Sequence, residues 1–222
     1  MTKKRFLKNK IIVFFTVFFA LFFTFSAAAC GNPGKNYVND DFSVANITIF
    51  GNNVEVKSDS TLSKGVLVSI SGNLVSTDEF NVYLYAAKKD YAKYFGEEIF
   101  DYKYTENATI GELLKERILE YMISVKLICE AADAENMYLT SEELAEVDVH
   151  VAEFIQKNVS GSNNDLYIDL NKEAIRKVYS DGFLAKKYYD KFNGNEEEFF
   201  SSVRVKAAEK EIFLNEYEWE AI

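Results

Sequence analysis

The 222-residue chain carries 25 basic and 35 acidic residues, one histidine, two cysteines and one proline, for a formal charge of −10. Five of the basic residues fall in the first ten positions and no acid precedes Asp40, so the chain beyond residue 29 holds 20 basic against 35 acidic residues, or −15. That balance opposes nucleic acid and anionic membrane faces as partners, and one His with one spare Cys opposes a zinc cluster or a Cys/His catalytic pair.

Lys3, Lys4, Arg5, Lys8 and Lys10 precede an uncharged run, residues 11–29, with seven phenylalanines, closed by Ser26-Ala27-Ala28-Ala29 directly before Cys30. A basic start, an apolar stretch and a small-residue cleavage site make a secretory signal, residues 1–29. The cysteine placed just after the small residues resembles the lipobox of bacterial lipoproteins, although Ala27 stands where Leu is commoner. That resemblance implies a chain cut before Cys30 and acylated on its thiol. The other reading is an uncleaved anchor, because about 20 apolar residues suffice to cross a bilayer. Either way the basic end stays inside and the rest lies outside the cytoplasmic membrane.

Residues 30–41 read as a polar tether reaching roughly 18 Å as a flexible coil. Residues 42–64 contain a β-hairpin, with strands 46–50 and 54–56 around the turn Gly51-Asn52-Asn53; a second hairpin turns at Ser71-Gly72-Asn73. Ser76 with Glu79 forms a capping box for a helix over residues 77–95, stopped by Gly96. Phe80, Leu84, Ala87, Tyr91 and Tyr94 fall on its apolar face. A linker, residues 97–107, leads to the longest helix, residues 110–136, with Leu114, Ile118, Met122, Val125, Cys129 and Ala132 in one stripe.

Thr140 with Glu143 makes a second capping box, for a helix to about residue 157. Residues 160–169 are a Gly/Ser/Asn-rich loop. Asn171 caps a helix to Phe192, with Ile175, Val178, Tyr179, Phe183, Leu184 and Tyr188 inward. A helix over residues 196–209, a strand over 212–214 and a terminal helical turn carrying Trp219 complete the chain. The strand is expected to pair with residues 66–70, bringing the two ends of the domain together.

No catalytic group, metal site or cofactor site emerges. His150 reads as a solvent-facing residue and Cys129 as a buried, inert thiol. Glu196-Glu197-Glu198 sits in a first helical turn, where acids favour the helix dipole.

The stretch from Leu113 to Glu143, a long helix followed by Asn136-Met137-Tyr138-Leu139-Thr140-Ser141-Glu142-Glu143, resembles the long helix of the SurA/PrsA family of exported foldases and the step into its next helix. The paired aromatics Tyr188-Tyr189 and the tail from Ile212 through Asn215 to Trp219 are similar to further family features, so the resemblance covers roughly residues 65–222. It implies a mainly α, orthogonal multi-helix chaperone domain with small β-hairpin elements, binding unfolded or nascent secreted polypeptides. Family members that isomerise prolyl bonds insert a parvulin domain of about ninety residues after the helix that here ends near Phe192. Only about thirty residues follow, so the isomerase domain is expected to be absent. Phe100, Tyr102, Tyr104, Tyr188 and Tyr189 are the candidate client-binding residues, where tyrosine joins apolar area to a polar tip. Two other functions stay open: a module that binds one folded partner or envelope component, and a prolyl isomerase. The oligomeric state is not legible.

Overall fold

Two tight hairpins open the folded chain. In the computed structural model, residues 46–106, 108–158, 170–207 and 209–222 are described. Cys30, the signal, the tether and the loop at 160–169 lie outside them. Strand β1 (Asn46–Ile49) turns into β2 (Asn52–Ser58) through Phe50-Gly51, and β3 (Val66–Ile70) turns into β4 (Asn73–Ser76) through Ser71-Gly72. Both residues of each turn have positive φ, 51° and 82° in the first, 48° and 88° in the second. This left-handed pair matches the twist of antiparallel strands. The three-residue turns expected from the sequence are therefore two-residue turns. Asn52 and Asn73 belong to the strands, opposite Ile49 and Ile70.

Alternation then sorts the first hairpin. Ile47, Ile49, Val54 and Val56 are buried while Thr48 and Glu55 face out, the period of two that a half-buried strand requires. Strand β5 (Ile212–Leu214) lies between β2, in parallel, and β3, in antiparallel, giving the order β1-β2-β5-β3-β4. Strands β3 and β5 pair, as expected from the sequence, with Val68 opposite Leu214. The parallel partner β2 was not foreseen. Through it the first hairpin joins the same sheet, and all described residues belong to one compact unit.

The rest is helical: α1 (Thr77–Phe95), a 3₁₀ turn (Glu97–Asp101), α2 (Ile110–Ala134), α3 (Ser141–Asn158), α4 (Lys172–Asp190), α5 (Glu196–Ala207) and α6 (Glu216–Ala221). The protein is thus mainly α with a small five-stranded sheet. Capping boxes start α1 at Ser76 and α2 at Thr109, where Glu112 reaches back to the Thr109 N–H at 2.7 Å. Thr140 and Glu143 bond reciprocally ahead of α3. Helix α2 ends two residues short of the expected 136. There the Asn136 N–H donates to Asp133 O and the Met137 N–H to Ala132 O, with Asn136 at φ 56°. This Schellman arrangement puts asparagine in the left-handed position.

Helix α2 is the spine. From Ile118 to Val125 every residue is buried, so over two turns the helix is enclosed rather than amphipathic. It packs on α1, α4 and α5, while α4 also packs on α1 and α3. The tail closes the assembly. The Asn215 N–H donates to Leu67 O and its side-chain amide to Val66 O, and Trp219 packs edge-on to Phe80 at 5.7 Å. The Lys115 ammonium lies 4.2 Å from the Trp219 ring centre. Among the described residues no helix is long and apolar enough to cross a membrane.

Candidate binding surface

Ionisable groups gather at one buried point, where α1, α2 and α4 meet. The Lys126 ammonium contacts the carboxylates of Glu79 and Asp181, the latter at 2.6 Å, and Lys177 reaches the other oxygen of Asp181 at 2.6 Å. Burial works against the Lys126 charge, but Asp181 and Glu79 together outweigh it and hold its pKa above the ordinary lysine value. The Cys129 thiol donates to Asp181 O at 3.3 Å, and burial pushes its pKa up. The thiol is half-buried where the sequence predicts a buried one, and a thiol kept protonated is a poor nucleophile. Burial likewise raises the phenols of Tyr83 and Tyr121. The cluster ties three helices together.

His150 departs from its expected exposure. It is half-buried between α3 and α4, parallel to the Tyr179 ring at 6.3 Å and tilted against Phe183 at 5.7 Å. Burial pushes the Tyr179 phenol up to about 12. The imidazole serves as an aromatic filler in that seam. Among the described residues no group of His, Cys, Asp and Glu is arranged to hold a metal ion.

The five aromatic candidates divide. Tyr188 is fully buried, and its hydroxyl donates to Glu135 Oε1 at 3.0 Å. Tyr189 is half-buried, edge-on to Phe199 at 5.0 Å. Both lie against Phe199 of α5, which also meets Phe50, Phe192 and Phe200. This pair is therefore not an open client-binding surface. The residues after Phe192 fold back as α5 and cover it. Nor does a groove separate α2 from α4, since the two helices pack directly and are bridged by Lys126 and Asp181.

Phe100, Tyr102 and Tyr104 are placed differently. Phe100 is half-buried, with the Lys88 ammonium 5.7 Å from its ring centre. Tyr102 and Tyr104 are 67% and 65% exposed. The same stretch includes two exposed aromatic residues outside the five candidates: Tyr94, 73% exposed, and Phe95, 61% exposed. Spacing alone places Tyr94 on the apolar face of its helix, whereas the structure leaves it exposed. The correction follows from where the core stops: the buried positions of α1 run from Glu79 to Ala87, and its last two turns overhang. An adjacent aromatic pair in a final helical turn is a readable sign of this, because neighbours about 100° apart cannot both share a narrow inward stripe.

Backbone bonds tie down the loop that carries Tyr102 and Tyr104. The Tyr102 N–H donates to Ile99 O, the Tyr104 and Thr105 N–H groups to Ala108 O, and the Ile110 N–H to Tyr102 O. Lys103 and Thr109 form a short antiparallel bridge. A loop fixed in this way leaves its aromatic side chains available to a partner. Four large aromatic side chains are exposed within residues 94–104, beyond what a core needs. In comparisons with protein families, curated proteins and solved structures, nothing matches this chain.

Proposed function

We propose that the chain is a membrane-tethered, extracytoplasmic binder of unfolded exported polypeptides, chaperone-like and without an isomerase site of its own. The observation that carries this reading is the exposure of four large aromatic side chains within residues 94–104. Such a surface suits extended, unfolded chains, which offer apolar side chains and no fixed shape to match. The signal-like start and Cys30 support a site of action at the membrane from which exported chains emerge, where a tether would raise its effective concentration.

The test is suppression of aggregation. The full chain is expected to keep a chemically unfolded client in solution at near-stoichiometric ratio, and a variant with Tyr94, Phe95, Tyr102 and Tyr104 all changed to Ser is expected to lose that effect while remaining folded. Wild-type chain inactive across several clients would remove the reading. Saturable binding to one folded protein, with indifference to unfolded chains, would favour an interaction module instead. Prolyl isomerisation is expected at the uncatalysed rate.

A further inference from the structure

The aromatic rings at residues 94–104 do not stand on neutral ground. Glu97, Glu98 and Asp101 lie between them and Glu106 follows, all four exposed, against the single base Lys103, so residues 94–106 carry a net charge of −3. None of the four carboxylates takes part in an ion pair among the described residues. Beyond residue 29 the chain as a whole adds a field of the same sign. Two of the chain's own lysines already use ring faces at this end: Lys93 lies 5.3 Å from the centre of Tyr94, and Lys88 stands over Phe100. The rings of Tyr102 and Tyr104 have no such partner among the described residues. Free aromatic faces beside unpaired carboxylates attract a cation twice, through the ring quadrupole and through Coulomb attraction.

Resting on the function proposed above, we infer that this surface selects basic segments of its clients, stretches in which Lys or Arg alternates with apolar residues. A lipid occupant fits less well, because the sign of the charge opposes an anionic bilayer. A second copy would bring acid against acid.

The experiment uses the full chain held in nanodiscs of zwitterionic lipid and three labelled, unstructured peptides of equal length and apolar content, one basic, one neutral and one acidic. The basic peptide is expected to bind about tenfold more tightly than the acidic one, with the difference shrinking as salt rises from about 0.05 M to about 0.5 M. A variant carrying E97Q, E98Q and D101N is expected to bring the three affinities within about twofold of one another. A Tyr102→Ser/Tyr104→Ser variant is expected to weaken all three. Equal affinities for the three peptides on wild-type chain would overturn the charge selectivity while leaving client binding intact. Binding of none would remove both. Hydrogen-exchange protection of residues 94–104 without peptide, in anionic nanodiscs or with rising protein concentration, would assign the surface to lipid or to a second copy and overturn the inference.

Discussion

Lys126 shows how much a single buried charge can organise. Its side chain is 11% exposed and holds Glu79 and Asp181, themselves nearly enclosed, from two other helices. Removing one member of such a set leaves the others charged and unpaired, which costs about 3–5 kcal/mol. Lys177 still reaches Asp181, so Glu79 is the more exposed to this loss. Lys126→Met is expected to lower unfolding free energy by about 3 kcal/mol, measured by urea denaturation. The same substitution in a Glu79→Gln background is expected to cost clearly less, and equal costs would argue against a coupled network. Beside it, the Cys129, Tyr83 and Tyr121 side chains keep their protons past their ordinary values of 9.0, 10.0 and 10.0. The unfolded chain releases those protons first, so it binds fewer than the native chain and stability falls as pH rises. Lys126, raised above 10.5, acts in the same direction. The urea midpoint is expected to be flat up to about pH 8.5 and to decline steadily above about pH 9. Cys129→Ser is expected to delay that onset to about pH 10, where the phenols begin. A midpoint that held steady to pH 11 would contradict the burial of these groups.

Element by element, the sequence spoke most clearly where one local rule decided the outcome. Ser76 and Glu79 mark a helix start because both bonds of the box form within four residues, and Gly96 marks the stop because its φ is 80°. Aromatic residues were harder to place. Periodicity treats Tyr188 and Tyr94 alike, but Tyr188 is covered by Phe199 from a later helix whereas Tyr94 lies past the end of the core. That difference is tertiary, and no window of the sequence around either residue contains it. Lys126 was hidden for a related reason, since its partners lie 47 and 55 residues away. Gly111 offers a test at this scale. In the first turn of a helix, Gly→Ala ordinarily stabilises by about 0.5–1 kcal/mol. Here an added Cβ would stand 2.9 Å from the carbonyl oxygen of Phe100 and 3.4 Å from its Cβ. Gly111→Ala is therefore expected to destabilise by about 1 kcal/mol and to speed amide exchange at residues 97–109, as the 3₁₀ turn is pushed off α2. A stabilised variant with unchanged exchange would show that the loop yields freely.

At the scale of the molecule, the sheet joins segments far apart in the chain. Strand β5 is its middle member, and residues 212–214 bind strands that begin more than 140 positions earlier. Glu218 adds to the closure by accepting from the Gly65 N–H at 2.9 Å and the Thr77 hydroxyl at 3.0 Å. The first described strand, β1, begins at Asn46, sixteen residues after Cys30. A lipid on Cys30 would make the chain's location and its proposed work one question. Cys30→Ala removes the acceptor thiol without touching the described fold. For a lipoprotein, the wild-type chain is expected in the membrane fraction, with Met1 absent and a mass increased by acyl groups on the first residue. The variant is expected to keep its first 29 residues and to take up no labelled fatty acid. A wild-type chain that retains Met1 and carries no lipid would instead make residues 11–29 an uncleaved anchor, and the variant would then fractionate like the parent. The aggregation and peptide-binding assays separate from this outcome, because the client binding proposed for residues 94–104 would be the same whichever anchor holds the chain.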